Sequence, residues 1–463
     1  MSITTPTLLA IAASFVCSAA QSADTLRLGL SDCMDRAMSD NLEIVEQELI
    51  KDDYAAQRSH ADASRYLTRL FFRSQFGVVP DAEGNIITDR INTSISELSP
   101  FFRMDIEAGQ PLYTWGRLTS LRNAAQSGVE SQGFGIQATR NQVAGEVVEL
   151  YYGVLLAREV LRVAEDAAEK LDAANRRVRE LIDEGSTTVR RRDRYKLDVY
   201  AFQVEEQRAK AEKGRELASA ALRRVLAIDP GKSYEVANNR LRPVRAAVEP
   251  LQNYIELARR NRPELSQVRL GVEARRWQWE ASKAERWPIL ALGGRFNWHE
   301  APGRDLSPSN PGLGDSWNSF SGGAAFVIQG ELNLGISNAK ARRAHIAYRQ
   351  MQRRQRWAHQ SIDLDVTKAL RDVVEADSNF RAARRARRAA KAWLRDSHEQ
   401  YDIGLLDTKE LLEAYTAFAT TEGSYFEAVY NQRVAFAKLD EAVGNPVWTL
   451  TDELGHIGIT SER

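Results

Sequence analysis

The sequence predicts a mainly α-helical protein with a membrane β-barrel segment, in which a helix–strand–strand–long helix–helix unit occurs twice in tandem. Three observations predict it. Two helical stretches are far too long for a compact domain. Paired segments between the helices alternate apolar and polar residues with period two. The same landmarks then recur at a fixed offset. The intervals Gly116 to Gly185 and Gly335 to Gly404 both span 69 residues, and the copies lie 219 residues apart. At that offset Gln110 falls on Gln329 and the run from Leu70 to Val79 falls on Ile289 to Trp298. A two-residue shift places Glu43-Ile44 on Glu264-Leu265. The expected division is a leader over 1–23, a first unit over 24–245, a second over 246–448 and a tail over 449–463.

The leader comes first. Residues 8–17 form an apolar run of the length of a signal-peptide core, and Ser18-Ala19-Ala20 and Ala23 offer small residues for cleavage. No Lys or Arg precedes Arg27. Ser14-Phe15-Val16 lacks the small residues expected before a lipidated Cys17. With Cys17 removed, Cys33 is expected as a small buried group on the first helix.

Strands are expected near 70–79 and 100–112, and again near 289–298 and 319–332. Phe102, Met104, Ile106 and Ala108 share one face, and Arg103, Asp105 and Glu107 the other. In the second unit Leu290, Leu292, Phe296 and Trp298 oppose Arg295, Asn297 and His299. Ala324, Phe326 and Ile328 oppose Gln329 and Glu331. An apolar face and a charged face, on strands of about ten residues, suit a sheet between lipid and water. The polar stretches 80–99 and 299–318 are expected as extracellular loops.

Long helices are expected over about 118–182 and about 337–402. Each is about 100 Å long at 1.5 Å per residue. Val147, Tyr151, Val154, Leu161, Ala164, Ala168, Leu171, Ala174, Val178 and Leu181 keep three-and-four spacing in the first. Ala369, Val373, Ala376, Phe380, Ala383 and Ala390 keep it in the second. Such helices must pack laterally against others of similar length.

Four strands cannot close a barrel, and lipid tolerates no open edge. Copies of the chain must therefore combine. Two copies make eight strands, whose interior fills with side chains. Three make twelve, with an aqueous lumen in which water satisfies Arg103, Asp105, Glu107, Arg295 and Glu331.

The chain resembles the TolC-type outer-membrane efflux factors over nearly its whole mature length. The resemblance rests on Gln110-Pro111-Leu112-Tyr113-Thr114-Trp115-Gly116-Arg117 and Tyr151-Tyr152-Gly153-Val154-Leu155-Leu156-Ala157. Asn261-Arg262-Pro263-Glu264-Leu265, Gly404 with Leu411-Leu412-Glu413-Ala414, and Tyr430-Asn431 through Leu439-Asp440-Glu441-Ala442-Val443-Gly444 add to it. It implies an outer-membrane homotrimer with a twelve-stranded β-barrel and a twelve-helix periplasmic tunnel. It implies work with a periplasmic adaptor and an inner-membrane transporter, in tripartite efflux or type I secretion. The pump and adaptor choose the cargo, so small molecules and secreted polypeptides both remain open.

The resemblance also implies an acidic ring at the periplasmic mouth, six and nine residues after the glycine that ends the second long helix. Here these are Glu410 and Glu413, three apart and so on one helix side. Converging carboxylates would attract cations. Tyr401 matches a tyrosine of the family's closing hydrogen bonds. Leu406 stands where an arginine is expected and Arg191 where a partner acid is, which leaves Asp193 as the candidate tie. Arg190-Arg191-Arg192 lies past the first tip turn, as a solvated tip or an adaptor-docking contact.

Other chemistry finds little support. Lys plus Arg and Asp plus Glu both number 63, so the net charge is zero, which argues against nucleic-acid binding. The arginines of 381–395 alternate with alanine as a solvated face. The six histidines include no i, i+4 pair, so no metal site is expected. No phosphate loop or nucleophile elbow occurs, and neither enzymatic activity nor a cofactor is expected. The rival architecture is a non-transporting periplasmic coiled-coil scaffold or adaptor, which needs no outward aromatics at Phe102, Trp298 and Phe326.

Overall fold

The computed structural model describes residues 26–66, 69–85, 90–184, 191–244, 247–306, 315–330, 333–403 and 405–445. The expected leader, Cys17, Gly185, Arg190, Glu331, Gly404 and the tail 449–463 lie outside the described residues. The chain begins with β1 (Leu26–Leu28), α1 (Leu30–Asp40) and α2 (Leu42–Tyr66). It continues with β2 (Arg69–Asn85), β3 (Arg90–Tyr113), α3 (Arg117–Asp183) and α4 (Arg191–Val225). After β4 (Tyr234–Val236), the order resumes with α5 (Leu251–Asn261), α6 (Pro263–Ala284), β5 (Ile289–Glu300) and β6 (Arg304–Leu306). It closes with β7 (Ser319–Gln329), α7 (Leu334–Asp402) and α8 (Thr408–Val443). No helix among the described residues is long and apolar enough to cross a membrane.

The opening helix expected in each unit is two helices. Asn41 separates α1 from α2, and Arg262 separates α5 from α6. Both take extended backbone, at φ −66°, ψ 127° and φ −63°, ψ 115°. The causes are local but different. Asn41 Oδ1 accepts from the Glu43 and Ile44 N–H groups, capping α2, while its Nδ2 donates to the Val225 carbonyl. Pro263 opens α6 and excludes helical geometry at Arg262. The small parallel sheet of β1 with β4 was also not expected.

The main sheet has the order β6-β2-β3-β5-β7. Its four long strands form an antiparallel meander. The described residues of the stretch 80–99 are strand, not loop. Residues 81–85 pair with 90–94, so the first hairpin runs well beyond the ten-residue span, with strands of 17 and 24 residues. The register shifts between Pro80 and Asp81, where proline offers no N–H to the ladder. Burial of Val79 and Ala82 holds the extension together. The second stretch, 299–318, also departs from a loop: β5 runs on to Glu300, and β6 pairs in parallel with Ala82–Gly84. Asn318 donates to the Ala301 and Arg304 carbonyls, and buried Asp315 accepts from Arg304 at 2.7 Å. The β6–β2 pairing exists only once the second hairpin folds onto the first, whereas the Asn318 and Asp315 contacts close within the second hairpin; composition alone shows neither and reads as loop. At the other end β7 stops at Gln329.

The passage from β3 into α3 turns on two left-handed residues, Trp115 (φ 54°) and Gly116 (φ 81°). Glycine takes this conformation freely, whereas tryptophan needs compensation. Trp115 Nε1 supplies it by donating to the Pro288 carbonyl at 2.7 Å, which ties the two strand–helix junctions together.

Helices α2, α3, α6 and α7 pack in that order in the half next to the sheet. Further away α3 pairs with α4 and α7 with α8. The core lies around the middle of α3, where Val143, Val147, Tyr151, Val154 and Leu155 are buried against α1, the end of α4 and α8. Cys33 sits in this core on α1. Val373, Ala376 and Phe380 of α7 are buried too. The segment between the two halves of the chain is strapped to α8 and α3. Arg433 donates to the Arg242 carbonyl at 2.5 Å and to the Tyr152 hydroxyl at 2.7 Å, and the Val244 N–H donates to Gln432 at 3.1 Å.

Candidate functional site

The fold offers two candidate working parts, its strand sheet and its far helical tip. In the sheet, pleat and register decide which side chains meet. Phe72 stands opposite Ile106, which stands opposite Phe296. Met104 stands opposite Trp298, which stands opposite Phe320, and Leu292 opposite Phe326. Directly opposed residues share a face, so these apolar side chains form one continuous surface across four strands. Phe72, Phe76, Phe320, Phe326 and Ile328 are exposed in the single chain. Such a surface meets lipid in a transmembrane barrel.

The other face carries the charged residues, and they pair with one another. Arg295 donates to Glu107 at 2.9 Å across the β3–β5 ladder. Arg103 donates to Asp105 at 3.0 Å, and His299 Nε2 lies 2.9 Å from the other oxygen of Asp105. Water is therefore not the sole partner of Arg103, Asp105, Glu107 and Arg295: Arg103 meets Asp105 two residues along its own strand, and register sets Arg295 beside Glu107 and His299 beside Asp105. His299 was placed on this face from alternation. Its contact with Asp105 could not be, since it depends on register between strands nearly two hundred residues apart.

At the tip, α8 starts at Asp407, whose carboxylate accepts from the Lys409 and Glu410 N–H groups. This fixes the first turn. Leu411, Leu412 and Ala414 are buried, and Glu410 and Glu413 are exposed on the opposite side. Leu412 anchors that turn by packing with Leu171, Val178 and Leu197 of α3 and α4. The two carboxylates therefore face away from the body of their own chain. Lys409 Nζ lies 3.6 Å from Glu413. That i, i+4 spacing is legible in the sequence by itself. Tyr401 is half-buried and lines a groove of about 840 Å³ with Leu171, Val178, Leu412, Tyr415 and Phe418. Arg192 is exposed on α4. Arg191 and Asp193 belong to the same helix, with side chains outside the described residues.

The sequence matches the family described as outer membrane efflux protein over residues 93–227 and 254–445. No curated protein matches it. Among solved structures, the Campylobacter jejuni CmeC outer membrane channel is 17% identical, with 90% of this chain and 85% of that chain covered and a TM-score of 0.73. The open state of the Neisseria gonorrhoeae MtrE outer membrane channel is 20% identical, with 90% and 89% covered and a TM-score of 0.69. The outer membrane protein VceC of Vibrio cholerae is 13% identical, with 90% and 96% covered and a TM-score of 0.67. At these identities the likeness shows a shared fold.

Proposed function

The chain belongs to the outer membrane efflux protein family, and from that premise we propose that three copies close one twelve-stranded barrel and one twelve-helix tunnel. The protein is an outer-membrane efflux channel of a family that works with adaptor and inner-membrane pump partners. The observation that carries the trimer is the sheet itself. Its long strands are open along β7 and along β2 below Ala82, where β6 begins to cover the edge. One face is apolar and exposed, and the other is ion-paired. Joining β2 of one copy to β7 of the next removes every open edge that lipid would penalise. Three copies give the smallest ring with room for water between ion-paired walls.

Within this duct Arg103, Asp105, Glu107, Arg295 and Glu331 line the barrel lumen. Glu410 and Glu413 form the periplasmic constriction, six carboxylates around one axis. Tyr401 and Asp193 belong to the gate, and Arg190, Arg191 and Arg192 to the face that meets the adaptor. Substrates leave passively, with energy supplied by the pump.

Native mass measurement in detergent tests the assembly: three chains are expected. A soluble monomer recovered from periplasmic extract would overturn it. Planar-bilayer recording of the same preparation tests the duct and should show a weakly conducting resting state.

A further inference from the structure

Register places two further arginines on the water side of the sheet. Arg69 of β2 stands opposite Gly109 and Arg73 opposite Asp105, and directly opposed residues share a face. Over the span Arg69–Gln75 and the strands level with it, that side carries four arginines, with Arg103 and Arg295, against two carboxylates, Asp105 and Glu107.

Both carboxylates are committed elsewhere. Glu107 accepts from Arg295 at 2.9 Å. Asp105 accepts from Arg103 through one oxygen and meets His299 through the other. The ion pairs of this side are these three, and among the described residues Arg69 and Arg73 are in none. Both are exposed. The neighbours of Arg69 across the ladder are Gly109 and then Gly293, which offer no acid. A Cβ added at Gly109 would meet nothing within 4 Å, so the space beside Arg69 is open. Glu331 falls beyond Gln329, where β7 ends, and lies outside the described residues. Counting it still leaves four arginines to three acids.

An aromatic ring lies between the two arginines. Phe71 stands opposite Glu107, on the same water side, and is 56% exposed. The Arg73 guanidinium lies over its ring, 5.5 Å from the centroid. Residues 69, 71 and 73 alternate along one strand, so the two arginines are about 13 Å apart at their Cα atoms, with the ring midway. A lumen wall that meets only water gives no reason for an exposed phenylalanine flanked by cations.

We propose that Arg69, Phe71 and Arg73 form an anion-selecting site in the barrel lumen for amphipathic anions: a carboxylate, phosphate or sulfonate carried on an apolar body. The site rests on the ring reading above and names its substrate class. A guanidinium takes an oxyanion through paired N–H donors, and the ring takes the apolar body by stacking. Three copies bring six such guanidinium groups to one lumen, and rings of arginine favour anions in a pore. The barrel thus carries the opposite sign to the tip. The tip carboxylates act on the resting channel, whereas the barrel stays in the path of cargo once the tip has opened.

Fluorescence anisotropy of pyrenetetrasulfonate, with the full-length channel in uncharged detergent, tests this. Low salt keeps screening weak. Saturable binding is expected. Arg69→Gln with Arg73→Gln should weaken it about tenfold or more, and Arg69→Lys with Arg73→Lys should recover most of it. Arg342→Gln with Arg343→Gln removes the same charge from exposed positions on α7 and should leave binding unchanged. Phe71→Ser should weaken pyrenetetrasulfonate while inorganic pyrophosphate, read by competition, binds as before. Native mass is measured on every preparation. A wild-type trimer that binds no pyrenetetrasulfonate, or a trimeric Gln variant that binds it as wild type does, overturns the site and leaves the ring standing. Equal loss in the α7 variant reduces the effect to net charge and overturns the site as well. Unchanged binding in Phe71→Ser overturns the preference for an apolar body. Monomers throughout overturn the ring and the site together.

Discussion

Ile106 and Glu107 are neighbours in sequence, and the pleat sends them to opposite solvents. Arginine on the lipid face near a barrel midplane costs about 2–4 kcal/mol. Ile106→Arg should therefore cut the yield of assembled channel, whereas Glu107→Gln should leave it near normal. Glu107 sacrifices only an exposed pair with Arg295, and such pairs contribute about 0–1 kcal/mol. Heat-modifiable migration of the outer-membrane fraction checks both; equal yields would remove the case for a lipid-facing side. A second residue-scale consequence concerns Asp440. Burial raises its pKa above the ordinary 3.8, with only the bond from Asn445 opposing. Its sign follows: the carboxyl favours folding when protonated, fully so below about 3.8, and that contribution is lost as pH rises through the higher folded value. Asp440→Asn should accordingly be the more stable form near neutrality, with the advantage vanishing toward pH 4. Thermal melting of the two proteins across pH reads this directly.

Among the elements, α8 shows how one end depends on another part of the chain. Gly444 closes it at φ 75°, and a Cβ there would lie 2.8 Å from the Arg262 nitrogen. Arg262 in turn donates to the Ala442 carbonyl at 2.9 Å. The α5–α6 break and the α8 end are thus fitted to each other. Gly444→Ala meets both left-handed strain, about 1–2 kcal/mol, and a backbone clash. A fall in melting temperature of several degrees is expected. An unchanged value would mean that the junction relaxes freely. The first hairpin teaches the same at a larger size, since its extension is held by β6 and the Arg304–Asp315 pair from the second.

For the whole molecule, the proposed constriction at the tip sets the ion preference of the resting channel. Six carboxylates converge if Glu410 and Glu413 ring the axis, and the resting channel should favour cations and be blocked by divalent ions. Replacing both with Ala should relieve the block and weaken cation selectivity with little effect on assembly. Glu107→Ala should leave the block intact, because the wider barrel is filled with screening salt. The Lys409–Glu413 contact adds a sharper expectation: Lys409→Ala frees a carboxylate and should strengthen divalent block. Single-channel currents with the ion added on the periplasmic side decide all three, and block that survives the double substitution places the constriction elsewhere. Reversing the charge of Arg192 should weaken cross-linking to the adaptor without lowering trimer yield; unchanged cross-linking would favour a solvated tip.

Local periodicity was enough to place the long helices, the apolar positions of α3 such as Val147, Tyr151 and Val154, and the two faces of the strands. Heptad and alternating patterns are written in consecutive residues, so the chain alone determines them. Turn-rich composition misled over 80–99, because 81–85 and 90–94 satisfy each other's backbone as an extension of the hairpin, and β6, from far along the chain, covers its edge. The break at Asn41 was hidden for a related reason: its amide is held by the Val225 carbonyl, far along the chain. Glu410 and Glu413 came from the family resemblance, counted from Gly404, and only folding showed them turned away from Leu411 and Leu412, with Lys409 against one of them. Which charges pair across β3 and β5, and in which order α2, α3, α6 and α7 pack, follow from register and layer order. Those are relations between distant segments, so tertiary structure alone decides them.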